Sequence, residues 1–306
     1  SIPHVTTRYP LWDDPKLLDR VDAGRFYLPD AQEGHRETLV TSVIDAEPIL
    51  IQRVNTPTWI THIAAIFTGG AFIFPTFHLY TPGIVSGLLA VASIIWWLWT
   101  STARPPETDS KDAGLGLRLP TYVSGPDSTG WWAVWITMLG DATAFASIVF
   151  GYFFYWTAQP DFPPPGALHA GAGAVALACA GFVAGWVFTV AARRLNRDGR
   201  IGAARGALVL APLSTAGGIA ALIAAVLPLE PATHVYPALI WALAVWIAAH
   251  GAVGIVMQLY CLAGSFLGKL TPRYDADIWN VSLFWHFFVL SALVACALMG
   301  PVARLL

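Results

Sequence analysis

The chain has 306 residues, 56% of them hydrophobic and 12% charged, with a net charge of −2. A soluble domain carries about 25% charged residues, so this chain has too little polar surface to cover a globule of its length. Its 14 Trp and 16 Phe add to the apolar excess. Disordered chains, collagen-like repeats, small disulfide scaffolds and ordinary soluble enzymes are excluded, and the near-neutral charge gives nucleic acid no handle. The composition implies an all-α, multi-span membrane protein.

Residues 1–57 are polar, rich in Asp, Arg and Pro, and hold no apolar core of the signal-peptide kind. A first residue of Ser instead of Met is expected from processing or from excision out of a longer chain. Seven apolar stretches then follow, each long enough to cross a bilayer, which takes about 20 helical residues. They are Thr58–Phe77, Gly83–Trp99, Trp131–Thr157, Ala167–Ala192, Ala203–Leu227, Tyr236–Gly268 and Ile278–Met299. The sixth is too long to stand upright in the bilayer and predicts tilt or extension beyond it.

The predicted organisation is a cytoplasmic tail over 1–57, a two-helix hairpin over 58–100, a cytoplasmic linker over 101–130 and a five-helix bundle over 131–306. The linker contains PPETDSKD and LPTYVSGPDSTG. Small residues in the fourth and fifth spans, among them Gly181, Gly185, Gly217 and Gly218, predict close helix–helix packing. Trp59, Trp96, Trp97, Trp99, Trp131 and Trp132 fall at span ends and read as interfacial anchors. Cys179, Cys261 and Cys296 each sit inside an apolar run with no CxxC spacing, so free thiols are expected.

Orientation follows from Lys and Arg. Six lie in the N-terminal tail, three after span two, five after span four and two after span six, while the loops after spans one, three and five have none. With only Arg304 in the C-terminal tail, 16 of 17 fall on one side. The N-terminus is therefore expected in the cytoplasm and the C-terminus in the periplasm or its equivalent.

Asp141 is the one carboxylate deep in a span, about ten residues or roughly 15 Å from the cytoplasmic end. Such a group must be neutral or partnered. Two readings stand: a proton- or lipid-linked site, or a protonated acid bonded to a neighbouring helix. Three histidines also lie in spans. His62 is one turn into span one. His286 is roughly 12 Å deep and His250 roughly 25 Å from the same side. Asp141 is expected to neighbour His286 on depth, while His250 and His286 are too far apart in depth to share one haem. The plainer reading of each histidine is a hydrogen-bonded core or interface residue, and it carries more weight than a functional one. No metal-ligand spacing, Walker loop, dinucleotide fingerprint, nucleophile elbow or HExxH occurs. The last span has no Lys, which removes a retinal Schiff base.

Spans three to seven resemble subunit III of haem–copper cytochrome c oxidase. Leu139-Gly140-Asp141, followed by Phe145, stands where that family carries an acid and a Phe in its third helix. His250-Gly251 matches the His-Gly of the sixth helix, and Trp285-His286-Phe287 matches the opening of the seventh. The hairpin, linker and five-helix layout is similar too. The tail segment IPHVTTRYPLWDD resembles the end of oxidase subunit I, and RETLVTSVIDAEP resembles the join found where subunits I and III are fused. The chain departs from the family at Val253 and Val289, where a second His and an acid are common, and in having Asp at position 141.

The resemblance implies a non-redox part of a cytochrome c oxidase in a bacterial inner membrane. It would pack on subunit I and subunit II, which would carry the haem and copper, and meet cytochrome c only through subunit II. It would bind phospholipid and sustain proton uptake, with Asp141, His286, His250 and His62 as lipid- or proton-linked residues and no cofactor of its own. The rival readings are subunit III of a quinol oxidase or of a nitric oxide reductase-type complex, and a transporter; the mid-span prolines Pro75 and Pro212 give the last a thin case.

The topology predicts a labelling pattern. Cysteines placed at Asp109 and Asp198 react with an impermeant thiol reagent only from the cytoplasmic side, and cysteines at Asp161 and Glu230 only from the outside.

Overall fold

The computed structural model describes residues 6–23, 25, 36–54, 58–101, 109–113 and 116–302. Ile2–Val5 of the first tail motif, Arg104, the PPET half of PPETDSKD and Arg304 lie outside the described residues. The elements, in order, are α1 Pro10–Asp13, α2 Leu17–Asp22, β1 Arg36–Thr41, β2 Pro48–Val54, α3 Ile60–Thr76, α4 Tyr80–Ser101, β3 Ser110–Asp112 and β4 Arg118–Pro120. A 3-10 turn, Gly125–Asp127, precedes α5 Thr129–Ala158, α6 Ala172–Arg197, α7 Ile201–Val226, α8 Val235–Phe266 and α9 Ala276–Ala297, which ends in a π-helical turn at Leu298–Val302. The chain divides into two compact units, 1–123 and 124–306.

The fold is mostly helical, and six described helices, α4 to α9, are long and apolar enough to cross a membrane. The chain is a multi-pass membrane protein on that ground. Helix α3 has 17 residues, about 26 Å of rise, against a hydrocarbon core of about 30 Å. Helix α8 has 32 residues, about 48 Å. Its excess length is what its sequence led one to expect.

The first unit contains strands that the all-α expectation did not include. β1 pairs with β2 and β3 with β4, both antiparallel. The segments TLVT and ILIQRV alternate or run apolar over a strand's length, a signal masked when the tail is judged by its polar average. Ile51, Ala113 and Leu119 form a small core, with Leu39 and Leu117 packed on it. Glu37 is buried within this module, bonded to Lys111 and 3.7 Å from Arg53. Residues of the predicted tail and the predicted linker thus build one element.

In the same unit, α3 and α4 form a helical hairpin. Pro75 lies in the last turn of α3, where it ends the helix. His78 takes φ 60 in the turn. Gly83 is required next: a Cβ there would sit 2.8 Å from the Pro75 ring.

The second unit is the five-helix group α5–α9. Its largest fully buried side chains include Trp285, Tyr152, Tyr236, Phe182 and Phe288. Trp285 of α9 lies between glycines: a Cβ on Gly254 of α8 would come within 2.9 Å of its ring, and one on Gly185 of α6 within 3.2 Å. Helices α6 and α7 pack most extensively. Their backbones meet at Gly181, whose Cβ would sit 2.8 Å from Gly218 Cα and 2.8 Å from the Ser214 carbonyl oxygen. The small-residue expectation holds at Gly181, Gly185 and Gly218, but Gly217 faces open space. Helix α7 runs through Pro212 unbroken. Trp59, Trp96 and Trp132 are exposed, as anchors would be. Cys261 and Cys296 are buried, Cys179 is half-buried, and all three are free.

Gly181→Ala therefore forces two backbones apart. Overpacking of this kind costs about 1–3 kcal/mol. Gly217→Ala, one residue from the contact on α7, costs nothing. Thermal unfolding of the two variants in detergent checks the contrast.

Candidate functional site

Helix α5 starts at Ser128, whose side chain caps it by accepting from the Trp131 backbone N–H. Asp141 lies twelve residues beyond Thr129, about 18 Å along the axis. It lies at the edge of the packed face, between the buried Met138 and Phe145. Leu139 and Ile136 are exposed, a Cβ on Gly140 would meet nothing, and the Asp141 side chain keeps 35% of its surface. The hydroxyls that share this helix are satisfied internally: Thr137, Thr143 and Ser147 each donate to the carbonyl four residues back.

The partner of Asp141 is His250 of α8. Asp141 Oδ2 and His250 Nε2 lie 3.6 Å apart. The expectation of an Asp141–His286 pair is overturned, and the reason is geometric. Depth was counted from helix ends as though both ended flush with the membrane. At about 48 Å, α8 projects beyond a core of about 30 Å, so counting from its end places His250 too deep.

The neighbours of His250 fix its chemistry. The ring stacks on Trp246, with centroids 4.2 Å apart and planes at 28°. Trp246 in turn packs against Phe145 of α5. His250 Nδ1 lies 2.8 Å from the Trp246 carbonyl oxygen. A carbonyl only accepts, so Nδ1 carries the proton of this bond. The lone pair of a neutral ring is then on Nε2, facing Asp141. Two favourable states follow, a protonated carboxyl facing a neutral imidazole, or a carboxylate facing an imidazolium. In each, one proton serves the gap between the two residues.

His286 is engaged elsewhere. Trp186 Nε1 of α6 donates to its Nδ1 at 2.8 Å, with the rings edge to face. His62 is exposed at the start of α3, edge to face with Trp59. Of the four predicted residues, Asp141 and His250 meet, His286 lies on the α6/α9 seam, and His62 lies in the first unit. Among the described residues, no three of His, Cys, Asp and Glu converge as a group able to hold a metal ion.

Sequence reasoning missed the contacts made by arginines at the end of α6, toward α9, and at the start of α7, toward α8. Arg193 lies over the Trp279 ring at 4.0 Å and Arg197 at 5.1 Å, and Arg197 is 3.5 Å from Asp275. Arg205 donates to the Ser265 hydroxyl at 3.1 Å and carbonyl at 2.6 Å. The arginines were visible as a topology signal. Their partners lie 60 to 86 residues away, and no local spacing links them. No protein-family model matches the chain, and no curated protein matches it significantly.

A double-mutant cycle tests the pairing. Asp141→Leu and His250→Leu couple by about 1 kcal/mol in thermal unfolding, the size of a contact interaction. Asp141→Leu and His286→Leu add to within about 0.5 kcal/mol, as separate sites do.

Proposed function

We propose that the chain is the subunit III-like part of a cytochrome c oxidase, with no redox centre of its own. On this reading it crosses a bacterial inner membrane seven times, N-terminus in the cytoplasm and C-terminus in the periplasm. The haem and copper belong to subunits I and II. The chain stabilises subunit I, takes phospholipid and supports proton uptake while electrons pass from cytochrome c to oxygen.

The observation that carries this reading is the contact of Asp141 with His250 at 3.6 Å. Leu139-Gly140-Asp141 and His250-Gly251 each resemble a motif of that family, and they lie more than a hundred residues apart in sequence. Two motifs that belong to one function are expected to meet, and these do. The division into an α3–α4 hairpin and a five-helix group supports the same reading. Helix α3, counted as the seventh span, falls a few ångströms short of the core. Local thinning of the bilayer absorbs that at modest cost. The tail segment Arg8–Asp13 favours the cytochrome c branch over a quinol oxidase, because it resembles a subunit I of that branch.

In this role the Asp141–His250 pair is a proton-holding group at the bundle surface. It keeps one proton in a place where water is scarce and is neutral overall while it holds that proton; passing the proton on leaves the carboxylate beside a neutral imidazole, so release must be matched by re-protonation. Electron transfer needs nothing from it.

Purification from native membranes through a tag on this chain tests the reading. The expected result is a complex with a haem-bearing and a copper-bearing subunit, and a lone bundle with no haem absorbance overturns it. Asp141→Asn keeps the shape but cannot ionise. It should leave haem content and the first turnovers intact and lower oxygen consumption over many turnovers. An Asn variant that is inactive from the first turnover with full haem content overturns the supportive role.

A further inference from the structure

Trp285 fills the centre of the five-helix group, and the turn beside it is polar. Two contacts give the antiparallel register of α8 and α9. A Cβ on Gly251 would come 3.3 Å from the Phe288 ring, and one on Gly254 would come 2.9 Å from the Trp285 ring. One turn further along α8 is Gln258, which the same register sets beside Val281 and Ser282 of α9. Thr189 of α6, one turn beyond Gly185, reaches this level too and accepts from Gln258 Nε2 at 2.8 Å. Thr189, Gln258, Ser282 and Trp285 are all fully buried.

The bonds of this layer can be followed hydrogen by hydrogen. The Thr189 hydroxyl donates its one hydrogen to the Gly185 carbonyl at 2.7 Å, so toward Gln258 it can only accept. That fixes the amide with its nitrogen on Thr189 and its oxygen turned away. Gln258 Oε1 then has no hydrogen-bond partner among the described residues, and neither has Ser282 Oγ or Trp285 Nε1. Ser282 differs in this from Thr189, Thr215 and Ser291, whose hydroxyls turn back to the carbonyl four residues earlier.

Three buried polar atoms on two facing helices thus ask for a partner, and a buried polar group without one is costly. Their chemistry narrows what the partner can be. The amide oxygen only accepts, the indole N–H only donates, and the hydroxyl does either. A cation is refused by the indole N–H and an anion by the amide oxygen. Water both donates and accepts, and buried waters are held by about three bonds to groups otherwise unsatisfied.

We infer that the α6/α8/α9 core holds an internal water molecule, which accepts from Trp285 Nε1, donates to Gln258 Oε1 and bonds the Ser282 hydroxyl. The water joins α8 to α9 at the level where Gln258 already joins α8 to α6, so all three helices are tied in one layer. The site stands on the core of the bundle alone and does not rest on the oxidase reading.

The test is X-ray radiolysis of the full chain, in the complex it purifies with, followed by mass spectrometry of its peptides. Radiolysis splits water where it stands, so a bound water oxidises the side chains it touches even where bulk solvent does not reach. Trp285 is expected to gain oxygen at a yield well above Phe182 and Phe288, which are buried in the same core. Gln258→Met keeps the length of the side chain and removes its oxygen, and it brings the Trp285 yield down to that of the two phenylalanines. Ser282→Ala, the smaller change, replaces it by the same criterion if the Met variant does not fold. No oxidation of Trp285 overturns the proposal, as a direct bond from Ser282 to Gln258 would give. Equal yields at Trp285, Phe182 and Phe288, the mark of solvent entering by local opening, also overturn it, as does a Trp285 yield unchanged in the variant.

Discussion

A bilayer offers polar groups no water, and the second unit is arranged around that constraint. A donor or acceptor inside the apolar slab is costly unless it finds a partner in protein; several side chains do so, while the Tyr152 hydroxyl and the Trp246 and Trp285 indole N–H groups are buried without a hydrogen-bond partner among the described residues. The hydroxyls of α5 turn back to their own carbonyls, which leaves the helix free to present Leu139 and Ile136 outward. Gln258 donates to Thr189 across α8 and α6 at 2.8 Å, and Trp241 to the Leu229 carbonyl at 2.8 Å. Asn196 closes the end of α6 by donating to the Thr271 carbonyl at 3.0 Å. These bonds link helices that hydrophobic association would not hold, because lipid tails are as apolar as the helices themselves.

The same constraint explains why the core is organised by glycine. Without a hydrophobic drive between spans, contact area must come from fit. Trp285 gains that fit only because Gly185 and Gly254 leave room for its ring on two sides, and Gly181 lets α7 come within backbone distance. The largest side chain of the core and the smallest residues of its neighbours are one arrangement. Neither α6 nor α8 could carry a larger residue at those positions without moving α9, and α9 carries His286.

Length and apolarity made the spans legible, since both are local properties of a segment. The small-residue faces were legible as composition but not as contacts: Gly217 and Gly218 are adjacent in sequence, yet only Gly218 meets a neighbour within 4 Å. Pairing was not legible. Asp141 and His250 are joined by the depths at which α5 and α8 cross, and a helix longer than the membrane is thick carries no mark of where it enters. The β module around Glu37 was hidden for another reason. Its strands come from two segments that are polar on average and separated by a helical hairpin, so neither reads as part of a core alone.

The two buried-depth histidines illustrate how a hydrogen bond to one ring nitrogen decides what the other can do. A carbonyl beside Nδ1 of His250 places the lone pair of the neutral ring toward Asp141. An indole N–H beside Nδ1 of His286 does the reverse: it holds the ring neutral and turns Nε2 into a donor. Protonating His250 is compatible with every bond it makes, whereas protonating His286 at Nδ1 would set two N–H groups against each other. One histidine can thereby take up a proton without losing a bond, and the other cannot. They occupy different seams, α5/α8 and α6/α9, so a change of charge at the first need not break the Trp186–His286 bond at the second.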